Sequence, residues 1–288
     1  MKSILITGAS GFIGHHVIEY LVEHHKHEYS VIATSSNIEK VKDAEWFKLV
    51  DYVPFDLTKI NSSENYFDYF NKPDKLIHLA WEGLPNYKSL FHFEGNLQRH
   101  YSFIKNLVQY GLSDITVTGT CFEYGMQEGC LTESLSSEPA NPYALAKDTL
   151  RKFLEELKIQ HPFSLRWIRL FYMFGEGQNP NSLFSQLDRA LENGDVVFNM
   201  SGGEQVRDYL PVEKVAKNIV QIAIQQQVEG IINCGSGIPI TVKKMVEDYL
   251  SKKNKSIKLN TGFYPYNDFE PMKFWADITK LKKILNKQ

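Results

Sequence analysis

The sequence predicts an α/β fold: a doubly wound, mostly parallel sheet with helices on both faces, joined to a smaller C-terminal substrate lobe. Three observations predict it. Short apolar runs rich in β-branched residues recur along the 288-residue chain. Most are separated by longer segments with helical periodicity. The first run also leads through a glycine-rich turn directly into a helix. Such alternation builds βαβ units, and a sheet made of them needs helices on both faces to bury its apolar sides.

In chain order, the strand-like runs are 3–7, 30–34, 75–80, 114–119, 164–170 and 230–233, and the helical segments between them include 13–23, 97–110, 143–157 and 212–224. After Phe171 the texture changes. "GEGQNPNSL" is loop-like, and from Gly235 onward prolines and aromatics surround few periodic segments. The expected layout is a sheet domain over 1–170, to which 206–236 returns, and a second lobe made from 171–205 and 237–288.

Composition excludes several classes. Apolar residues make up 43% of the chain, enough for a continuous core, and 32 basic against 34 acidic residues leave a formal charge of −2. Neither nucleic acid nor an anionic membrane is expected as a partner. No stretch is apolar for long enough to span a bilayer, and the first residues lack the pattern of a secretory signal. Cys121, Cys130 and Cys234 are an odd number without a CxxC pair, which fits a reducing cytoplasm better than a disulfide framework or zinc site. His15, His16, His24, His25 and His27 crowd one helix and its exit. They read as a solvated helix end, so no metal is expected.

"ILITGASGFIGHHVIEYLVEH" runs strand, turn, helix, with Gly8, Gly11 and Gly14 three apart. Residues without side chains let the backbone approach a pyrophosphate, whose charge is favoured at a helix N-terminus. This context makes the turn the fingerprint of a Rossmann-type dinucleotide site. The acid that would hold the adenosine 2'-hydroxyl of NAD is expected about 20 residues on. There the chain offers Thr34 in "ATSSN", with no carboxylate, and Lys40 follows. Without that negative charge nothing repels a 2'-phosphate, so NADP(H) is the favoured cofactor and NAD(H) the alternative. Asp56, in "PFDL", is a candidate for the adenine amino group or, equally, a turn cap.

"NPYALAKDTL" sets Tyr143 and Lys147 four apart at a helix start, on one face. A free phenol has a pKa of about 10, and a neighbouring ammonium and an oxidised nicotinamide both lower it towards working pH. Such a tyrosine exchanges a proton with a carbonyl oxygen while hydride moves at carbon. YxxxK alone says little. Together with the glycine loop and a hydroxyl at the end of a later strand, it makes one site.

"TGASGFIG", "HLAW", "TGTCFEYG", "NPYALAK", "RLFYMFGEG" and "GGEQVRDYLPVEKVA" together resemble the extended short-chain dehydrogenase/reductase family, specifically its nucleotide-sugar epimerases, dehydratases and reductases. The resemblance runs from Lys2 to about Gly237. It implies catalytic roles for Thr120, Tyr143 and Lys147, with Lys147 also on the nicotinamide ribose, and cofactor contacts from Phe12, Ile13, Ser35, Leu57 and Ala80. It implies that Arg207 grips the substrate diphosphate; the alternative is a surface pair with Asp208. Where relatives carry RxxN, this chain has Arg169 followed by Tyr172, so Gln178, Asn179 or Asn181 is expected to replace that asparagine. Tyr172 and Trp81 are expected at the sugar. By the same resemblance, the helices at 97–110 and 143–157 form a homodimer bundle.

Related 4,6-dehydratases place an acidic pair directly after the active-site threonine, whereas Thr120 is followed here by Cys121 and Phe122. Dehydration is therefore disfavoured. A related epimerase-reductase uses a cysteine two places after the hydroxyl. Cys121 is one place on, so strand alternation is expected to turn it away from substrate as an inert thiol. His78 reads as a core histidine with one satisfied nitrogen. What remains is reduction of the 4-keto group of a dTDP- or CDP-linked 4-keto-6-deoxyhexose. The alternatives are 4-epimerisation with bound NAD and, in a different class, a dinucleotide-binding regulator without turnover.

Overall fold

The computed structural model describes residues 1–286; the last two positions of the expected second lobe lie outside the described residues. Seven parallel strands form the main sheet: β1 (Lys2–Thr7), β2 (Tyr29–Thr34), β3 (Asp51–Tyr52), β4 (Lys75–His78), β5 (Asp114–Thr120), β7 (Ser164–Leu170) and β11 (Gly230–Cys234), in the order β11-β7-β5-β4-β1-β2-β3. The short strand β6 (Gly129–Leu131) lies outside it. All six runs read from the sequence enter this sheet, and β3, only two residues long, joins at its edge. The order reverses between β1 and β4. That opens a crevice at the carboxyl ends of the strands, where ligands bind in such sheets.

Both faces are covered, which explains why the strands read as near-continuous apolar runs. Along β1, Ile4 and Ile6 pack on one side with Val17, Ile18 and Leu21 of α1 (Phe12–His25) and Ile219 and Val220 of α6 (Val212–Ile224). Leu5 points the other way, into a cluster with Phe70, Phe103, Ile104 and Leu154. That cluster is built by α2 (Tyr66–Tyr69), α3 (Leu97–Gln109) and α4 (Pro142–Gln160). Each such buried side chain contributes roughly 1.5–3 kcal/mol by leaving water.

The remaining elements are small. β8 (Tyr172–Phe174), β10 (Val206–Pro211) and β12 (Pro239–Thr241) form one sheet. β9 (Val197–Asn199) pairs with β13 (Lys258–Asn260), and β14 (Phe274–Ala276) pairs with β6. α5 (Leu183–Glu192) and α7 (Val242–Lys252) share a core of Phe184, Leu187, Val246 and Leu250. Two details depart from the expected layout. β10 belongs to the three-stranded sheet, not the main one. α8 (Thr279–Leu285) returns to the main core through Leu281 and Ile284.

Candidate active site

At the end of β1 the chain turns through Gly8, whose φ of +75° disfavours any side chain and where a Cβ would meet Ala80 N at 2.8 Å. A Cβ on Gly14 would lie 2.1 Å from the Gly8 carbonyl oxygen. Helix α1 therefore packs on the turn only because position 14 is glycine. The space beyond this turn is lined by Gly11, Thr34, Ser35, Lys40, Leu57 and Ala80, among others. Thr34 is buried and its hydroxyl has no partner among the described residues, while the Ser35 hydroxyl is tied to the Tyr52 hydroxyl at 2.8 Å. A backbone cradle that a Cβ would fill, with an orphaned hydroxyl at its wall, fits a bound dinucleotide. Asp56 does not line this space. It caps the Leu57–Lys59 turn by accepting from Thr58 N at 2.9 Å and Thr58 Oγ1 at 2.7 Å, bonds that hold its carboxyl below the ordinary range. The cap reading is the one the structure displays.

The cleft continues past Phe12, Ile13, Trp81 and Thr120 to Tyr143, Tyr172 and Gln178, a volume of ≈ 380 Å³. Helix α4 begins here because Asn141 caps it, accepting from Ala144 N at 2.9 Å, and Pro142 occupies the first turn. That start puts Tyr143 in the opening turn, buried and hydrogen-bonded to Thr120. Burial first, and then Tyr87, Glu123 and Cys121, push the phenol well above its usual pKa, opposed by the Thr120 bond. One turn on, buried Lys147 donates to the Thr118 carbonyl oxygen at 2.8 Å and lies 4.1 Å from the Trp81 ring centroid. Burial lowers its pKa to about 7, with Glu123 opposing.

Thr120 closes β5 and caps the turn Cys121–Tyr124, its Oγ1 accepting from Phe122 N at 3.3 Å. Glu123 reaches back to accept from Thr120 N at 2.9 Å. The same carboxylate accepts from Trp167 Nε1 at 2.9 Å and Arg169 Nε at 2.8 Å. Burial pushes its carboxyl up and Arg169 opposes. Glu123 thus anchors the threonine from behind. Gly119 is required beside it, since a Cβ there would lie 2.2 Å from Trp167 Nε1.

Cys121 lines the cleft beside Thr120, which corrects the expectation that it turns away: the strand ends at Thr120, and alternation does not extend into the helical turn that follows. Its thiol is pushed up by burial and then by Glu270. It is a poor nucleophile in this position. His78 is satisfied at both ring nitrogens, by Thr7 Oγ1 at 2.9 Å and His100 Nδ1 at 2.7 Å, not at one. Burial, then Lys147, lowers its pKa to about 3.

The expected substrate residues divide. Trp81, Thr120, Tyr172 and Gln178 line the cleft, and Gln178 Oε1 is buried without a partner among the described residues. Asn181 does not; Asn179 takes the lining place, its Oδ1 accepting from Asn181 N at 2.8 Å. Arg207 sits behind Tyr172 with its guanidinium engaged by Glu270 Oε2 at 3.0 Å and the carbonyl oxygens of Val206 and Met272. It does not pair with Asp208, whose carboxylate accepts from Ser236, Gly237 and Ala276. Sequence reading missed Glu270, and it missed Pro85, Tyr87 and Phe122 as wall residues. Their aromatic and proline character was visible, but Pro85 and Tyr87 are placed by an irregular loop after β4, Phe122 by the helical turn after β5, and Glu270 by a segment 63 residues beyond Arg207.

A parallel sheet with its crevice at the β1/β4 reversal, a glycine cradle and a Thr–Tyr–Lys constellation define a nicotinamide-dinucleotide enzyme of the extended short-chain dehydrogenase/reductase class. The chain belongs to the NAD dependent epimerase/dehydratase family, whose model matches residues 4–235. It is 29% identical to the dTDP-6-deoxy-L-talose 4-dehydrogenase (NAD(+)) of Aggregatibacter actinomycetemcomitans, over 95% of this chain and 99% of that protein. It is 26% identical to the GDP-6-deoxy-D-talose 4-dehydrogenase of the same organism, over 98% and 90%. Among solved structures, UDP-glucuronic acid 4-epimerase from Bacillus cereus, in complex with UDP-glucuronic acid and NAD, superposes with a TM-score of 0.85 at 20% identity, covering 99% and 93% of the two chains. Among the described residues no helix is long and apolar enough to cross a membrane, and no group of three or more His, Cys, Asp or Glu residues is placed to hold a metal ion.

Proposed function

We propose that this protein reduces the 4-keto group of a dTDP- or CDP-linked 4-keto-6-deoxyhexose. One observation carries the reading: among the described residues, the wall of the sugar end of the cleft bears no charged side chain, only groups such as Leu84, Pro85, Tyr87, Phe122 and Tyr172 around Thr120 and Tyr143. A sugar carboxylate would find no cation there, and a C6 methyl group finds apolar contact. Elimination of water would need a base and an acid beyond the tyrosine. The carboxylate nearest Thr120 in sequence, Glu123, is committed to Arg169, Trp167 and the Thr120 backbone.

A bound nicotinamide dinucleotide supplies the hydride at C4. The residues of this chain do the rest. Tyr143, held protonated by its buried setting, gives its proton to the C4 oxygen. Thr120 hydrogen-bonds that oxygen as charge develops on it. Lys147, when charged, stabilises the phenolate left behind. The relatives named as 6-deoxytalose 4-dehydrogenases support this reading, since oxidation and reduction at C4 are one reaction in two directions.

For the cofactor we propose a preference for NADP(H) over NAD(H). The lining near Thr34 offers hydroxyls and Lys40 in place of the acid that would repel a 2'-phosphate. The test uses purified protein, dTDP- and CDP-4-keto-6-deoxyhexoses, and NADPH or NADH in parallel. Loss of the reduced-cofactor absorbance, faster with NADPH at low concentration, is the expected result. No consumption with any of these substrates, together with interconversion of UDP-hexoses by protein carrying its own NAD, would replace the reductase with the 4-epimerase reading. Binding of cofactor without either reaction would leave the regulator.

A further inference from the structure

Trp81 stands where the two halves of the cleft meet and lines both of them. Its indole is fixed on two sides. The Nε1–H donates to His92 Nδ1 at 3.1 Å, and His92 Nε2 then donates to the Asn86 carbonyl oxygen at 2.9 Å. The ring stacks on His100, centroids 4.6 Å apart and planes at 20°. His100 is held in turn. The Thr7 hydroxyl oxygen accepts from the backbone N–H groups of Leu79 and Ala80, so its proton goes to His78 Nδ1. His78 Nε2–H then donates to His100 Nδ1. This chain of neutral rings runs from the glycine turn to the indole, and the indole lies against Lys147 and edge-on to Tyr143, 6.1 Å between centroids.

Lys147 needs such a partner. It is buried, its hydrogen bond goes to a neutral carbonyl oxygen, and among the described residues no carboxylate closes an ion pair on it. We infer that Trp81 is a positioning residue whose ring face holds the Lys147 ammonium charged and directed inward beside Tyr143. The inference rests on the functional reading of Lys147 given above. The titratable groups that face Lys147 are Glu123 from the turn after β5, His78 from β4, and His92 and His100 from the segment entering α3 and from α3 itself, and Tyr143 stands one turn earlier on its own helix. The three histidines are held neutral by burial. Substitution of Trp81 leaves Glu123 and its partners in place.

The sign follows from the chemistry. A π face stabilises the charged form, so removing it lowers the Lys147 pKa further below its ordinary value, whereas water admitted by a smaller side chain would raise it. The experiment compares Trp81→Leu, which keeps apolar bulk without a ring face, with Trp81→Phe, which keeps a face. The titration of Lys147 is followed by NMR in ¹³C-lysine-labelled protein, its signal assigned by loss in Lys147→Arg. The expected result is a midpoint lowered by about one pH unit in Trp81→Leu and by less than half of that in Trp81→Phe. The alkaline limb of kcat/KM should move down in pH by the same amounts, since the lysine acts in its charged form. A midpoint unchanged or raised in Trp81→Leu, or lowered equally in both variants, overturns the inference. Because the NMR titration needs no sugar nucleotide, it decides the role of Trp81 even where the proposed reduction fails.

Discussion

Tyr143 and Thr120 form a pair in which neither works without the backbone behind it. The threonine is presented at the end of β5 because Glu123 holds its amide and Arg169 holds Glu123, an ion pair with both side chains fully buried. Such a pair contributes little net stability, but losing one member strands a charge. Its value here is fixed placement of the hydroxyl. The tyrosine, in contrast, is placed by a helix start and its neighbours make it a reluctant acid. Tyr143→Phe removes the proton donor while keeping the ring that packs against Trp81 and Tyr87. We expect kcat for ketone reduction to fall by about 10²–10⁴-fold with cofactor affinity unchanged. Steady-state kinetics and a cofactor fluorescence titration measure the two. Retention of more than a tenth of the activity would remove Tyr143 from the proton step.

The turn between β1 and α1 shows the same dependence among elements. The Gly8 carbonyl faces α1 so closely that Gly14→Ala sets a methyl carbon 2.1 Å from backbone oxygen, which no side-chain rotation relieves. The helix must shift, at a cost of about 1–3 kcal/mol, and its N-terminus leaves the cradle. Weaker cofactor binding and a lower denaturation midpoint should appear together; thermal melts with and without cofactor check both, and an unchanged melt in each condition would contradict the packing argument. This turn was legible in sequence because strand, glycine spacing and helix are contiguous. The six long strands were legible for a similar reason: each buries both faces, as Ile4, Leu5 and Ile6 do, and so reads as an unbroken apolar run. β12, β13 and β14 were not, since three-residue strands find partners far along the chain, as Phe274 does with Gly129. The return of α8 to the main core and the commitment of Arg207 to Glu270 escaped for the same reason. Cys121 was misplaced by a rule that holds only inside a strand, one residue past the point where the strand stops.

At the scale of the whole molecule, the helices that carry and brace the catalytic pair leave an apolar strip uncovered. On α4, Tyr143 and Lys147 are buried, while Leu145 is 45% exposed and Phe153 39% exposed on the outer side of the same helix. On α3, Tyr101 meets Phe153 edge-on at 5.3 Å, with Lys105 over the Tyr101 ring. Just before α3, Leu90 is 53% exposed. We propose that this strip is where two copies of the chain pack, four helices together. An isologous contact of this kind doubles each patch against itself, so one substitution enters the interface twice. Light scattering at micromolar concentration should give twice the 33.2 kDa chain mass for the wild type. Phe153→Asp places two carboxylates in the apolar contact and should give a single-chain mass. Because Phe153 sits further along α4, one turn and more beyond Lys147 and against Tyr101 of α3, the isolated chain should keep its cofactor affinity. That outcome would separate the dimer's contribution from the chemistry, and a monomeric wild type would show that the strip is only exposed surface.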